Sequence, residues 1–430
     1  VGGLRLQLLC LSNGHGEDII AVRILQELQQ QPNPPKLAAL PLVGEGEAYS
    51  GLGIPIIGPM QRMPSGGFIY MDGRQLLRDV KGGLLQLTLA QFKAVRSWAK
   101  KGGVVLAVGD IVPLLFAWLS GADYAFVGTA KSEYYLRDEA GILPRKSWAQ
   151  RQEGWAGSVY LPWERWLMSR SRCKGVFPRD RLTTETLQQW SIPALDLGNP
   201  MMDGILPEHP DPIFYERDAE TKEVQRSLIF TLLPGSRPPE AYANWEKILL
   251  AVDGVIAAFT RRSIVLLGAI APALSVDTFR QILASQGWHL DVNATSELIR
   301  DPAASIFTKA NATLILTQTA YNDCLLNADF AIAMAGTATE QFVGLGKPAI
   351  AIPGKGPQYT PVFAEAQSRL LGPSLIVVEQ PTEVVSVVQQ LLRDPDRLQL
   401  IVENGLRRMG EPGSSRRIAT CLMERLGNQV

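Results

Sequence analysis

The amino-acid sequence predicts an α/β protein built from two doubly wound, parallel-sheet domains, and three observations lead there. Short apolar runs alternate with helical patterns along the chain, the texture of parallel strands covered by helices. The alternation breaks once, at LPEHPDPIFYERDAET (206–221), which is rich in proline and charge and has no sustained hydrophobic period. It then restarts with the same texture. The length agrees, since 430 residues exceed one ordinary core.

The first half opens on the apolar run 4–11, followed by a glycine-rich turn and an amphipathic stretch over 18–30. Further strands are expected at 37–42, 104–108, 124–127, 175–178 and 194–197. In the second half they are expected at 227–233, 263–267, 313–316, 330–333, 349–352 and 375–378. The organisation is therefore a Rossmann-like domain over 1–205, a linker over 206–221, a second Rossmann-like domain over 222–410 and a C-terminal helix over 411–430. One alternative has that helix packing back on the first domain. Two such domains are expected to face a cleft, with ligands beyond the C-terminal ends of the strands.

Composition narrows the function. With 46% hydrophobic and 20% charged residues the chain reads as globular. Its 42 basic and 42 acidic side chains cancel, which argues against a nucleic-acid partner. Cys10, Cys173, Cys324 and Cys421 stand singly and histidines number three, so neither a disulfide framework nor a metal site is expected. A reducing, cytoplasmic compartment fits. The opening apolar run is short for a signal peptide, and 102–122 is interrupted by Asp110 and Pro113, so no membrane span is expected.

Five segments carry chemistry. SNGHGED (12–18) follows the first strand and opens a helix. Gly14 and Gly16 permit a tight turn and close approach to a ligand, and the helix start offers unpaired N–H groups. Asn13 and Glu17 are candidate substrate contacts and His15 a candidate catalytic group; the alternative is a plain turn capped by Asn13 or Asp18. Asp110 ends the strand VVLAVGD, placed either as a general base or as a helix cap. In LLPGSR, Gly235 and Ser236 suit phosphate oxygens and Arg237 supplies a permanent bidentate charge. AGTATEQ (335–341) follows a buried strand: Gly336, Thr337, Ala338 and Thr339 suit a diphosphate, and Glu340 or Gln341, one turn on, suits ribose hydroxyls. The loop PGKGPQ (353–358) brings Gln358 towards a sugar and Lys355 towards a phosphate, or is simply solvated.

LLPGSR, AGTATEQ running on to GLGKP, YLPWERWLMSRSRCKGVFPRDR and LGNPMMD together resemble lipid-A-disaccharide synthase. The SNGHGED turn is closest to the related branch of that family found in cyanobacteria and plants. The resemblance implies a GT-B fold, a UDP-sugar bound by the C-terminal domain and an acceptor bound by the N-terminal one. It also implies diphosphate contacts from Gly235, Ser236 and Arg237, and from Gly336, Thr337 and Thr339. Where the synthase has a GExSGD-type turn, SNGHGED is nearer the GGxGGH turn of the peptidoglycan N-acetylglucosaminyltransferase. Counting back from Pro348, the ribose-binding position is Gln341, with Glu340 beside it.

The expected reaction is inverting transfer of a sugar from a UDP-sugar to a hydroxyl of a lipid-like acceptor. Asp110 or His15 would take the proton, while Arg237 and helix N-termini would neutralise the diphosphate without metal or cofactor. The alternatives are a hydrolysing UDP-sugar 2-epimerase and a non-catalytic scaffold that binds nucleotide. A lipid acceptor suggests peripheral contact with the inner face of the membrane, through 82–101 with Phe68 and Tyr70, and through Arg170, Arg172, Lys174, Arg179 and Arg181. A helix buried against the sheet explains 82–101 equally well. Trp163 and Trp166 are placed to border an acceptor site. Asp394-Pro395-Asp396 reads as a structural turn, and His209 and His289 as structural.

Overall fold

A computed structural model of the chain describes residues 5–44, 46–60, 84–144, 154–206 and 227–427. The chain divides into two compact units, Val1–Asp203 with Gly410–Val430, and Gly204–Met409. The 206–221 linker, His209, Phe68 and Tyr70 lie outside the described residues, Leu206 excepted.

The first unit is built on β1 (Gln7–Ser12), β2 (Lys36–Pro41), β3 (Val104–Gly109), β4 (Tyr124–Gly128) and β7 (Cys173–Phe177). They form one parallel sheet in the order β2-β1-β3-β4-β7. Strand β1 explains the architecture. Its side chains alternate faces, and Leu8 to Leu11 are all fully buried, so both faces must be covered. Leu8 and Cys10 pack with Ile20, Ile24 and Leu28 of α1 (His15–Gln29) and with Ile418 and Leu422 of the C-terminal helix α14 (Ser414–Gly427). Leu9 and Leu11 share the opposite layer with Val95 of α3 (Leu84–Lys100), Leu114 of α4 (Ile111–Ser120) and Leu167 of α5 (Pro162–Met168). Helices α2 (Glu47–Ser50) and α6 (Arg181–Gln188) and the short pair β5 (Arg137–Asp138) and β6 (Gly141–Ile142) complete the unit. The strand expected at 194–197 reduces to a single bridge, Val176 to Ala194. The bonds Val176 N–H to Pro193 and Leu195 N–H to Val176 frame that bridge, and the next donor on the β7 side would be Pro178, which has no N–H.

Among the described residues the second unit carries eight strands in the order β10-β11-β12-β9-β8-β13-β14-β15. They are β8 (Leu228–Leu233), β9 (Ile264–Ala269), β10 (His289–Leu290), β11 (Ser305–Lys309), β12 (Ala312–Thr317), β13 (Phe330–Ala333), β14 (Ala349–Ala351) and β15 (Leu375–Val377). Helices α7 (Glu240–Ala258), α8 (Val276–Ser285), α9 (Tyr321–Asn327), α10 (Thr337–Gly344), α11 (Pro361–Leu371), α12 (Val384–Arg393) and α13 (Pro395–Met409) connect and cover them. Six strands are parallel; β10 and β11 add an antiparallel edge. That edge went unforeseen because the β11–β12 hairpin turns through Ala310-Asn311, with Ala310 at positive φ, where asparagine or glycine is the usual signal. Asp394 accepts the Arg397 N–H at 2.9 Å at the start of α13, so the Asp-Pro-Asp string is a helix cap.

In both units the chain winds outward in one direction, returns to the middle and winds the other way. The reversal falls between β1 and β3 in the first unit and between β8 and β13 in the second. Open α/β sheets leave a crevice at such a point, outside the carboxyl ends of the strands.

Candidate functional site

In the second unit, three turns meet at the β8/β13 reversal. The turn after β8 carries Gly235, Ser236 and Arg237; the turn after β13 carries Gly336 and opens α10; the loop after β14 runs to Tyr359. Gly235 has φ +96°, and a Cβ there would lie 3.2 Å from the Met334 carbonyl oxygen. Only glycine lets the first two turns approach so closely without strain.

Side chains behind the turns hold them in place. Asn244 of α7 donates to the Pro234 carbonyl at 3.0 Å. The buried Glu240 carboxylate accepts the backbone N–H of Tyr359 at 2.7 Å and of Gln358 at 3.2 Å. Gln367 of α11 donates to the Ala335 and Gly336 carbonyls at 3.2 and 3.0 Å and accepts from the Tyr359 hydroxyl at 3.1 Å. Lys247 donates to the Pro353 carbonyl at 2.5 Å. Its amine is pushed down by burial and then by the neighbouring Lys355 charge, so cationic charge gathers behind the loop. None of Glu240, Asn244, Lys247 or Gln367 is visible as functional in the sequence. Glu240 at a helix start reads as an ordinary partner for the helix dipole, and only the fold brings it to the β14 loop.

Helix α10 starts without a side-chain cap, whereas α11 beside it is capped by Thr360, which accepts the Phe363 N–H at 3.1 Å. The first N–H groups of α10 are thus available to an anion. Ser236, Arg237, Thr337 and Gln358 are exposed here, and Gly235, Gly336 and Ala338 half-buried. Thr339 is a correction. It is fully buried, and its hydroxyl donates to the Ala335 carbonyl at 2.6 Å, so it braces the helix and does not face a diphosphate. Both ribose candidates are buried, and the Gln341 carbonyl oxygen accepts from the Tyr321 hydroxyl at 2.7 Å.

The first unit's reversal has the opposite electrical character. Asn13, at the end of β1, donates to Asp110 Oδ2 at 2.9 Å across the β1/β3 boundary. Asp110 Oδ1 accepts the Val112 N–H at 2.8 Å and caps α4. The capping alternative for Asp110 is therefore the one seen, with both carboxylate oxygens hydrogen-bonded. Gly109 has φ +128°, and a Cβ there would lie 3.2 Å from Glu17 Cγ and 3.6 Å from Asn13 Cβ. Glu17, Asn13 and Asp110 therefore crowd around one turn. Burial, and then the Asp110 charge, raise the Glu17 carboxyl above its ordinary value.

Helix α1 is capped by the backbone of Gly14 alone, so neither Asn13 nor Asp18 is its cap. Asp18 instead accepts from Ser12 at 2.5 Å, and Ser12 also meets the Tyr49 hydroxyl at 2.5 Å. Gly16 is exposed. His15 supplies the first helical residue; its side chain lies outside the described residues.

The basic surface expected from Arg170 to Arg181 is partly dismantled. Arg179 is only 3% exposed and donates to the Thr129 carbonyl. Arg181 pairs with Glu185, and Lys174 with Asp123. In α3, Leu87 and Val95 are buried while Leu89 is exposed, the amphipathic pattern of a helix on a sheet. Among the described residues no helix is long and apolar enough to cross a membrane.

No protein-family model matches the chain, and no curated protein matches it. Solved structures do. UDP-GlcNAc 2-epimerase from Neisseria meningitidis, bound to UDP-GlcNAc, is 14% identical over 97% of this chain and 100% of its own, with a TM-score of 0.55. MurG from Acinetobacter baumannii is 14% identical over 97% and 99%, with a TM-score of 0.53. UDP-GlcNAc 2-epimerase from Methanocaldococcus jannaschii is 14% identical over 97% and 100%, with a TM-score of 0.51. At such identities the likeness is one of fold: the chain has the two-domain, parallel-sheet α/β architecture of the GT-B proteins.

Proposed function

We propose that the protein is an inverting, metal-independent glycosyltransferase that moves a sugar from a UDP-sugar to a hydroxyl of a lipid-like acceptor, as a relative of lipid-A-disaccharide synthase. The observation that carries this reading is the convergence of the Gly235, Gly336 and Gly354 turns at the β8/β13 reversal, beside a helix start with no side-chain cap. A diphosphate fits that arrangement: backbone N–H groups and the Ser236 and Thr337 hydroxyls offer hydrogen bonds, and Arg237 offers a bidentate charge. In this reading the exposed Gln358 contacts the sugar. A neighbour of the same fold holds UDP-GlcNAc, which supports a UDP-sugar as the ligand.

The acceptor proton goes to a group at the β1/β3 reversal, where Glu17, Asp110 and His15 are the candidates. Glu17 is favoured over Asp110, because both Asp110 oxygens already accept hydrogen bonds and a carboxyl raised by burial is the better proton acceptor near neutrality. As the acceptor oxygen attacks the anomeric carbon, the bond to the diphosphate breaks. Arg237 and the α10 N-terminus then meet the charge that builds there.

The test is UDP release from a panel of UDP-sugars, with and without membrane lipid extract, in buffer containing EDTA. Lipid-dependent release from one sugar is expected. A second reading has the chain acting as a hydrolysing 2-epimerase, favoured by the two epimerases among the neighbours. It predicts lipid-independent release together with exchange of the sugar C2 proton into solvent. UDP binding without release from any donor would replace both with a non-catalytic nucleotide-binding role.

A further inference from the structure

Tryptophan is usually at least partly buried, yet on one side of the first unit Trp155, Trp163 and Trp166 are 65%, 50% and 44% exposed. They belong to one continuous surface. Trp163 and Trp166 lie three residues apart on α5, hence on one face. Trp155 approaches Trp163 with ring centroids 6.5 Å apart. On the other side, Trp166 meets Trp118 of α4 edge-on at 5.1 Å, and α4 adds Leu115 and Leu119, exposed and one turn apart. A large aromatic side chain carries up to about 250 Å², so the three indoles alone leave roughly 400 Å² of ring surface in water. That already matches the largest apolar patch of a typical monomer.

The charges stacked on the rings are cationic. Arg170 lies over the Trp166 ring at 4.4 Å, and Arg165 lies 4.0 Å over that of Trp190, itself exposed. The one carboxylate on α5, Glu164, is 2% exposed, turned inward and bound by Lys131 at 2.6 Å. An indole surface edged by guanidinium groups, with the local acid withdrawn, complements an interface that is apolar beneath and negative at its surface.

We infer that the outer face of α4 and α5, with Trp155, Trp163 and Trp166 as anchors and Arg165 and Arg170 beside them, docks the protein on the surface of an anionic lipid bilayer. Indole rings settle at the headgroup level of bilayers, where their apolar body and polar N–H are both satisfied, and each arginine near such a surface adds attraction. The surface keeps Arg170 of the basic cluster the sequence suggests, and Trp163 and Trp166, which the sequence sets beside an acceptor site, but it leaves out 82–101, Arg179 and Arg181. It also stands apart from the sugar-transfer reading, because bilayer binding is read without turnover.

The experiment is co-sedimentation of the full chain with vesicles of phosphatidylcholine, alone or with about a third phosphatidylglycerol, together with quenching of tryptophan fluorescence by phosphatidylglycerol brominated in the acyl chains. Expected are binding to the anionic vesicles only, and quenching by the brominated ones. W155S/W163S, with unchanged far-UV circular dichroism, is expected to bind more than about ten-fold more weakly and to lose the quenching. Arg170→Gln is expected to weaken binding about five-fold. Failure of the wild type to bind, binding without quenching, or undiminished binding by W155S/W163S would overturn the inference. So would a lipid-free dimer that W155S/W163S abolishes, since a second copy would then be the occupant. Should the double variant misfold, quenching of the wild type decides alone.

Discussion

Replacing Glu240 with alanine removes the brace beneath the β14 loop while leaving the exposed side chains of the candidate nucleotide site in place. The carboxylate is 8% exposed and accepts the Tyr359 N–H at 2.7 Å and the Gln358 N–H at 3.2 Å. A hydrogen bond to a charged acceptor contributes about 1.5–3 kcal/mol net, and a buried donor left unpaired costs about as much. Gln358 is exposed and recovers water, whereas Tyr359 is 3% exposed and does not. The loss therefore falls mainly on one bond, about 2 kcal/mol for E240A. E240Q keeps an acceptor oxygen but not the charge, at about 1 kcal/mol. These figures correspond to amide exchange at Tyr359 about thirty-fold and about five-fold faster, read by hydrogen-exchange mass spectrometry on a peptide spanning the loop. Where the loop lines the nucleotide site, UDP affinity measured by calorimetry falls more than about ten-fold in E240A and less in E240Q. Unchanged exchange in E240A would refute the brace. Faster exchange with undiminished UDP affinity would refute the loop's part in the site.

Three further substitutions probe the two reversals. Arg237→Ala is expected to weaken UDP binding by about 2 kcal/mol, some thirty-fold, with little change in stability because the side chain is exposed; equal UDP affinity in isothermal titration would remove Arg237 from the site. Gly235→Ala forces a Cβ to within 3.2 Å of the Met334 carbonyl at φ +96°, so a loss of about 1–3 kcal/mol of stability together with UDP binding is expected, and wild-type denaturation and affinity would contradict it. For Glu17 the sign follows from its raised carboxyl. The folded chain favours the protonated form, so the associated stability is present below the unfolded value, near about pH 4, and is lost as pH rises through the folded one. Glu17→Gln, neutral throughout, is therefore expected to resist denaturant better than wild type at pH 7, with the gap closing towards pH 4; a variant less stable at pH 7 would refute the buried-carboxyl assignment.

The fold was legible because strand burial leaves a direct imprint. Leu8 to Leu11 and Ala331 to Ala333 are apolar on both faces, and runs of that kind between helical patterns have few other meanings. The glycine turns were legible for a related reason, since Gly235 and Gly109 stand at strand ends where the backbone takes positive φ. Which residues of a turn look outward was not legible. AGTATEQ suggested a row of contacts, yet α10 buries everything from Thr339 onward, because one side of a short helix must pack and nothing in the heptapeptide says which. Threonine also bonds its own helix, as Thr339 does to Ala335. The bracing residues were out of reach for a different reason. Glu240 and Tyr359 are 119 positions apart, and no spacing rule spans that distance.

The two reversals sort ligands by charge independently of any resemblance. At β1/β3 the side chains that close the turn are carboxylates: Asp110 caps its helix, Glu17 sits beside it, and Asp18 is buried one residue further on. A diphosphate brought there would meet like charge at close range in a partly desolvated setting, where repulsion is least screened. At β8/β13 the helix start lacks a side-chain cap just as α1 does, but the turn beside it carries an exposed arginine, with Lys247 and Lys355 close by. Its carboxylates, Glu240 and Glu340, are both buried, and Glu240 is held by the loop's own N–H groups. On charge alone, a nucleotide diphosphate therefore has one favourable reversal, on the second unit. Under the proposed transfer, the carboxylates of the first unit would serve the hydroxyl that gives up its proton. A hydrolysing epimerase also needs a base, for the sugar C2 proton, so Glu17→Gln separates the two only when lipid-dependent UDP release and C2 proton exchange are both followed: loss of the first supports transfer, loss of the second epimerisation.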